Sequence, residues 1–303
     1  MTDWKSTEEA GSAWAFSAFV WVARRFGRRL SRLVLRVVSL YFWLVRGEQR
    51  RQIAAFREVV TGQKATAMDT LRHFWTFAQV ALDRLYLLMP EDHGLQIEAE
   101  GLGQMDSALA LERGCLLLGA HFGSFEAARL IAGRRPEIPL RALMDLRINA
   151  RVSAVLERIN PQLSKQVLDV QDMTPTEVAL SLKQALDQKA MVAMLADRTV
   201  GRDRSLTVEF FGRETQFPAS PWWLAKALDV PVVMFTAVLT DGKYKARFER
   251  VDRPVLIDPA VGRSAARQQL VEQWAQDFAG RLEARVRQHP DNWFNFYSFW
   301  ESR

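Results

Sequence analysis

Apolar positions along this 303-residue chain follow two different periods, and the change falls near residue 90. Before it, the spacing is helical. Residues 12–46 hold two apolar blocks split by arginines. Residues 48–60 carry Ile53, Phe56, Val59 and Val60 on one face. Residues 63–89 carry Met68, Leu71, Phe74, Trp75, Ala78, Leu82, Leu85 and Leu88, and Pro90 closes the run. After it, short apolar runs alternate with helical stretches. Strands are predicted at 95–100, 115–118, 139–144, 166–170, 190–195, 206–211, 230–239 and 243–250. The last two are joined by a turn at Asp241-Gly242. Helices are predicted at 108–111, after Ser124 to Ile131, at 149–160, 174–187 and 260–288, and through Leu228 after the segment Gln216–Pro221. Strand–helix alternation defines an α/β fold with a mixed, largely parallel sheet flanked by helices. The division by pattern is an amphipathic segment 1–46 followed by one domain over 47–303, with 47–90 as its helical lead-in.

Charge changes the picture at the N-terminus. Lys and Arg exceed Asp and Glu by 41 − 35 = 6, and the first 51 residues carry much of the arginine. Neither apolar block there reaches the ~20 residues that span a bilayer, and no signal-peptide cleavage pattern follows. Arg24, Arg28, Arg32 and Arg36 recur every four residues, so they share a helical face opposite Trp, Phe, Leu and Val. That pattern predicts a helix lying in an interface with anionic lipid. The competing reading is a helix packed on its own domain. Whether residues 13–45 span or lie on the membrane stays open. The lone Cys115 sits in a predicted buried strand, which excludes a disulfide framework and fits a reducing compartment.

The candidate chemistry is concentrated in Gly114–Arg129. The apolar run Cys115–Leu118 ends in small residues, then His121, Gly123 and Ser124, then a helix carrying Glu126. A histidine at the C-terminal tip of a buried strand stands where open α/β sheets bind ligands. A carboxylate about one turn into the next helix reaches back toward the imidazole. There it would fix the tautomer and leave the other nitrogen to take a proton from a hydroxyl. Ser124 is placed to cap that helix. Asp197-Arg198 follows a second strand end. With four histidines and no HExxH, GxGxxG, GxxxxGK[ST] or GxSxG, zinc, dinucleotide, P-loop and serine-hydrolase chemistry are unsupported. What remains is a histidine base acting on a substrate nucleophile, with no cofactor.

His121-Phe-Gly-Ser-Phe-Glu126 matches the Hxxxx[DE] motif of glycerolipid acyltransferases, and the chain most resembles the lipid A late acyltransferases. Ala196-Asp197-Arg198, Val208–Gly212, Phe217–Pro221 and the aromatic segment Asn292–Trp300 extend the resemblance over most of the chain. It departs where the family's tyrosine–arginine pair falls on Met144-Asp145, with Arg147 and Asn149 nearby. The resemblance implies transfer of a fatty acyl chain from an acyl-carrier-protein thioester to a hydroxyl of a lipid or lipid A-like acceptor, without a covalent intermediate. It makes His121 the general base and Glu126 its orienter. Gly123 and Ser124 lie at the oxyanion turn, while Arg147, Asn149, Arg158, Asp197, Arg198 and Phe217 contact substrate. It implies acyl carrier protein, a lipid acceptor and an anionic membrane surface as partners, at the cytoplasmic face of a bacterial inner membrane. The acceptor stays open among lipid A precursors, lysophospholipids, ornithine-type and specialised lipids. A non-catalytic lipid-binding protein on this fold is the alternative. A nucleic-acid binder is disfavoured because the N-terminal arginines alternate with a continuous apolar face.

Overall fold

The computed structural model describes residues 13–89, 94–144, 166–170, 173–199, 204–254 and 263–300. The chain divides into two compact units, Met1–Gly94 with Val286–Arg303, and Leu95–Arg285.

The first unit is helical: α1 (Ala13–Val45), α2 (Gly47–Thr61) and α3 (Ala67–Leu88). The two apolar blocks of the N-terminus lie on two helical stretches of α1 that meet at a kink at Gly27, where φ is 73°, a value glycine reaches without a Cβ clash. A capping box between Thr66 and Asp69 starts α3. The arginine stripe takes a different course from the sequence reading. Arg28 makes two bonds to the buried Asp83 of α3, Nε to Oδ1 at 2.7 Å and Nη2 to Oδ2 at 2.8 Å, and Arg32 adds a third at 3.3 Å. Arg36 lies over the Trp75 ring at 5.7 Å. Arg28, Ser31, Arg32, Leu35 and Ser39 therefore form the inner face of α1. The carboxylate of Asp83 has no exposure. Once buried, it stabilises whichever face brings guanidinium, and losing those partners would cost about 3 kcal/mol. The side chain of Arg24 lies outside the described residues. The outer face is apolar: Leu33, Val37, Leu40, Tyr41 and Leu44 are all exposed. The C-terminal aromatic segment closes the unit. Trp293 packs on Phe56, and Phe294 and Phe296 pack on Phe77.

The second unit is built on a seven-stranded sheet of order β1-β9-β8-β2-β5-β3-β4. Its strands are β1 (Ile97–Glu100), β2 (Cys115–Gly119), β3 (Leu140–Met144), β4 (Val167–Asp169), β5 (Met191–Leu195), β8 (Val232–Thr240) and β9 (Lys243–Val251). All neighbouring pairs are parallel except β8 and β9, the hairpin turned at Asp241-Gly242. The helices α4 (Leu102–Leu109), α5 (Phe125–Ala132), α6 (Pro175–Asp187), α7 (Ser220–Leu228) and α8 (Arg263–Gln288) complete the fold. The predicted α/β class with a mostly parallel sheet is what the structure shows. β2 is buried along its whole length, as a central parallel strand requires. Burial drives the Cys115 thiol up to about 12, so it is inert.

One element departs from the pattern reading. Residues 216–218, read from sequence as part of the lead into a helix, belong instead to β7 (Arg213–Pro218), paired antiparallel with β6 (Ser205–Phe210) in a separate hairpin. Positive φ at both Phe211 and Gly212 gives the tight turn. The predicted helix at 149–160 lies outside the described residues.

Candidate active site

The site stands at the C-terminal ends of β2 and β5. These strands run parallel, with Gly119 opposite Leu195. His121 and Asp197 each lie two residues further on, so the register that aligns the strands also brings the two side chains together. His121 Nδ1 is 2.9 Å from Asp197 Oδ1, and the His121 amide donates to Asp197 Oδ2 at 3.1 Å. Asp197 is fully buried, whereas 42% of the His121 side chain is exposed. Burial by itself pushes the Asp197 carboxyl up. The His121 charge, the ring and backbone bonds from His121, and Arg198 outweigh it and hold the acid below the usual carboxylate range. An ionised carboxylate only accepts, so the proton of a neutral His121 sits on Nδ1. Nε2 is then the basic nitrogen.

Local chemistry fixes this loop. Gly123 has φ +72°, and a Cβ there would lie 2.0 Å from the Ala237 carbonyl oxygen. Only glycine allows that approach to β8. The next amide, Ser124 N, donates to that same oxygen at 2.7 Å. The Ser124 hydroxyl accepts from Ala127 N at 3.2 Å, capping α5 as the sequence predicts. The amides of His121, Phe122, Ser124 and Ala127 thus have partners inside the protein.

The other predicted residues fall into three groups. Glu126 is buried on the first turn of α5. Burial pulls the Arg129 guanidinium down, and the Glu126 carboxylate opposes that pull. Arg129 also donates to Gln166 Oε1 at 3.1 Å. The carboxylate on Nδ1 of the imidazole is that of Asp197. Arg198 sits with its Nε 3.4 Å from Asp197 Oδ2, in an ion pair with that carboxylate. Phe217 is fully buried on β7 between Phe210 and Phe278, at ring distances of 5.6 and 6.3 Å. Its place is in the core, not beside His121. Arg147, Asn149 and Arg158 lie outside the described residues. The His121–Asp197 pairing was missed from sequence, although the two residues stand three and two positions beyond the ends of predicted strands.

A histidine at a strand end, backed by a buried carboxylate and followed by a glycine turn into a helix, has the chemistry needed to take a proton from a hydroxyl. The profile of the bacterial lipid A biosynthesis acyltransferases matches residues 3–302. The chain belongs to that family and is an acyltransferase of lipid A biosynthesis. No curated protein sequence matches it.

Proposed function

We propose that the enzyme moves a fatty acyl chain from an acyl-carrier-protein thioester to a hydroxyl of a lipid A-type acceptor, with His121 as general base. The observation that carries this reading is the His121 Nδ1–Asp197 bond, which leaves the basic lone pair on Nε2 of a partly exposed side chain. Nε2 takes the hydroxyl proton as the acceptor oxygen bonds to the thioester carbonyl. The tetrahedral oxyanion is met by the Gly123 and Phe125 amides at the positive end of α5. As the C–S bond breaks, the imidazolium returns the proton to the departing thiolate. The products are an ester and the carrier thiol, with no covalent enzyme intermediate and no cofactor. Asp197 orients the ring and stabilises its protonated form, and Glu126 holds the first turn of α5 with Arg129. An acyl-transfer assay tests this, using purified carrier thioesters, membrane lipid extracts and a His121→Ala control. A new acylated lipid that depends on His121 supports the reading and identifies the acceptor by mass. Equal product with the variant defeats it.

The membrane contact belongs to the outer face of α1. Among the described residues no helix is long and apolar enough to cross a membrane. Leu33, Val37, Leu40, Tyr41 and Leu44 instead form an exposed stripe, with Val37 69% and Leu44 60% accessible. An apolar face this exposed, with arginines at its base, suits a helix lying in a bilayer surface. Val37→Glu with Leu44→Glu is expected to abolish sedimentation with anionic vesicles while the protein stays folded. Undiminished sedimentation would move the contact elsewhere.

A further inference from the structure

The sheet has a second concave site at its other end. A cavity of about 140 Å³ opens where β2 and β8 begin and β9 ends, beside the C-terminus of α7. His121 follows the far end of β2, so the length of that strand, roughly 17 Å, separates the two sites. Arg113, Arg250 and Arg253 line the cavity with Asp229 and Asp252. Asp229, in a left-handed conformation at φ 52° where α7 ends, holds two of the arginines at once. It accepts from Arg113 Nη1 and, at 3.0 Å, from Arg253 Nη1. Arg250 spends its Nε on Asp252 at 2.8 Å. Each guanidinium has five N–H donors, and these contacts use one nitrogen of each. The aspartates therefore position the forks without saturating them. Three cations face two anions, and more positive charge stands behind them: desolvation, then Arg267 and Arg253, pull Lys226 below the usual lysine range. Val230 and Pro231 give the cavity an apolar wall.

We propose that this cavity binds a small phosphomonoester, its dianionic phosphate held by Arg113, Arg250 and Arg253 and its short carbon stub against Val230 and Pro231. Planar guanidinium forks match phosphate oxygens, and the surplus of cations favours a dianion over a carboxylate. The volume excludes an acyl chain. The inference stands apart from the reaction proposed for His121, because it uses none of that machinery. Titration calorimetry of the full chain with glycerol 3-phosphate, at fixed ionic strength, tests it. One saturable site is expected. Arg253→Gln should weaken it about 10-fold, since a charge-assisted bond contributes roughly 1.5 kcal/mol or more. Leu111→Glu should weaken it as much by setting a carboxylate at the mouth; Leu111 is already exposed, so the fold is spared. His121→Ala should leave binding unchanged. Vesicles containing phosphatidic acid form a second arm: binding there that Leu111→Glu removes assigns the phosphate to a lipid headgroup at this same site. Absence of saturable binding in both arms, or equal affinity in Leu111→Glu, overturns the proposal.

Discussion

Asp197→Asn is expected to lower acyl transfer at least 100-fold, as is His121→Ala, with the double variant no worse than His121→Ala alone. The reason is geometric. Asp197 accepts two bonds from the same residue, the His121 ring N–H on Oδ1 and the His121 backbone N–H on Oδ2. Asparagine has one oxygen and one NH2. If its oxygen faces the backbone amide, its NH2 faces Nδ1, and the ring proton moves to Nε2. The base is then occupied. If it flips, the NH2 meets the backbone N–H and two donors collide. Neither arrangement keeps both bonds, and general-base catalysis is worth about 100- to 10,000-fold. Because both substitutions remove one function, their effects do not add. Turnover per folded enzyme, with substrate saturating, measures it. Glu126→Gln separates the two carboxylates. It leaves the Asp197 bonds in place and is expected to cost less than Asp197→Asn. If Glu126→Gln abolishes turnover while Asp197→Asn retains it, the orienting role returns to Glu126.

That prediction depends on a feature that local motifs hide. His121 and Glu126 are five residues apart and catch the eye together, whereas Asp197 is 76 residues from His121. Only the order of strands in the sheet makes them neighbours. Strand positions were legible because buried parallel strands are short apolar runs, as in Cys115–Gly119 and Met191–Leu195. That β2 and β5 pair was not, since crossover connections place strands without leaving a trace in either one. The arginines of α1 illustrate the same limit. Their spacing fixes a common face, but spacing cannot say whether that face meets lipid or a carboxylate. Asp83 of α3 decides it from 51 and 55 residues away. Phe217 was read from its neighbours in a turn-like segment. Its strand pairing with Leu206 in the β6–β7 hairpin turns it into the core instead. The turn at Gly123 and the cap at Ser124 were legible, because a positive-φ turn and a helix cap are set by adjacent residues.

The helical unit is expected to lose stability in acid through one residue, His73. Its ring is fully buried among Phe56, Phe294 and Phe296, at centroid distances of 6.4, 6.2 and 5.5 Å. Neither ring nitrogen has a hydrogen-bond partner among the described residues. Burial first, and then the Arg57 charge, lower its pKa to about 3. In the unfolded chain a histidine titrates near pH 6.5. Between those values the unfolded state holds a proton that the folded state refuses. The contribution is therefore fully favourable above about pH 6.5 and declines as pH falls. The slope is about 1.4 kcal/mol per pH unit, so roughly 4 kcal/mol is lost by pH 3.5. Asp291 and Asp69 are both ion-paired to Arg57 in the same unit; burial raises the Asp291 carboxyl above its ordinary value, while bonds from Thr66 lower that of Asp69. Both carboxyls are common to wild type and a His73 variant, so the difference between the two proteins isolates His73. His73→Leu removes the titrating group and the two unpaired polar atoms, which themselves cost about 1 kcal/mol or more. The variant should be more stable than wild type at pH 7, and its urea midpoint should fall less than that of wild type between pH 6.5 and 5. Parallel declines in the two proteins would mean that His73 is not the group that makes the unit acid-sensitive.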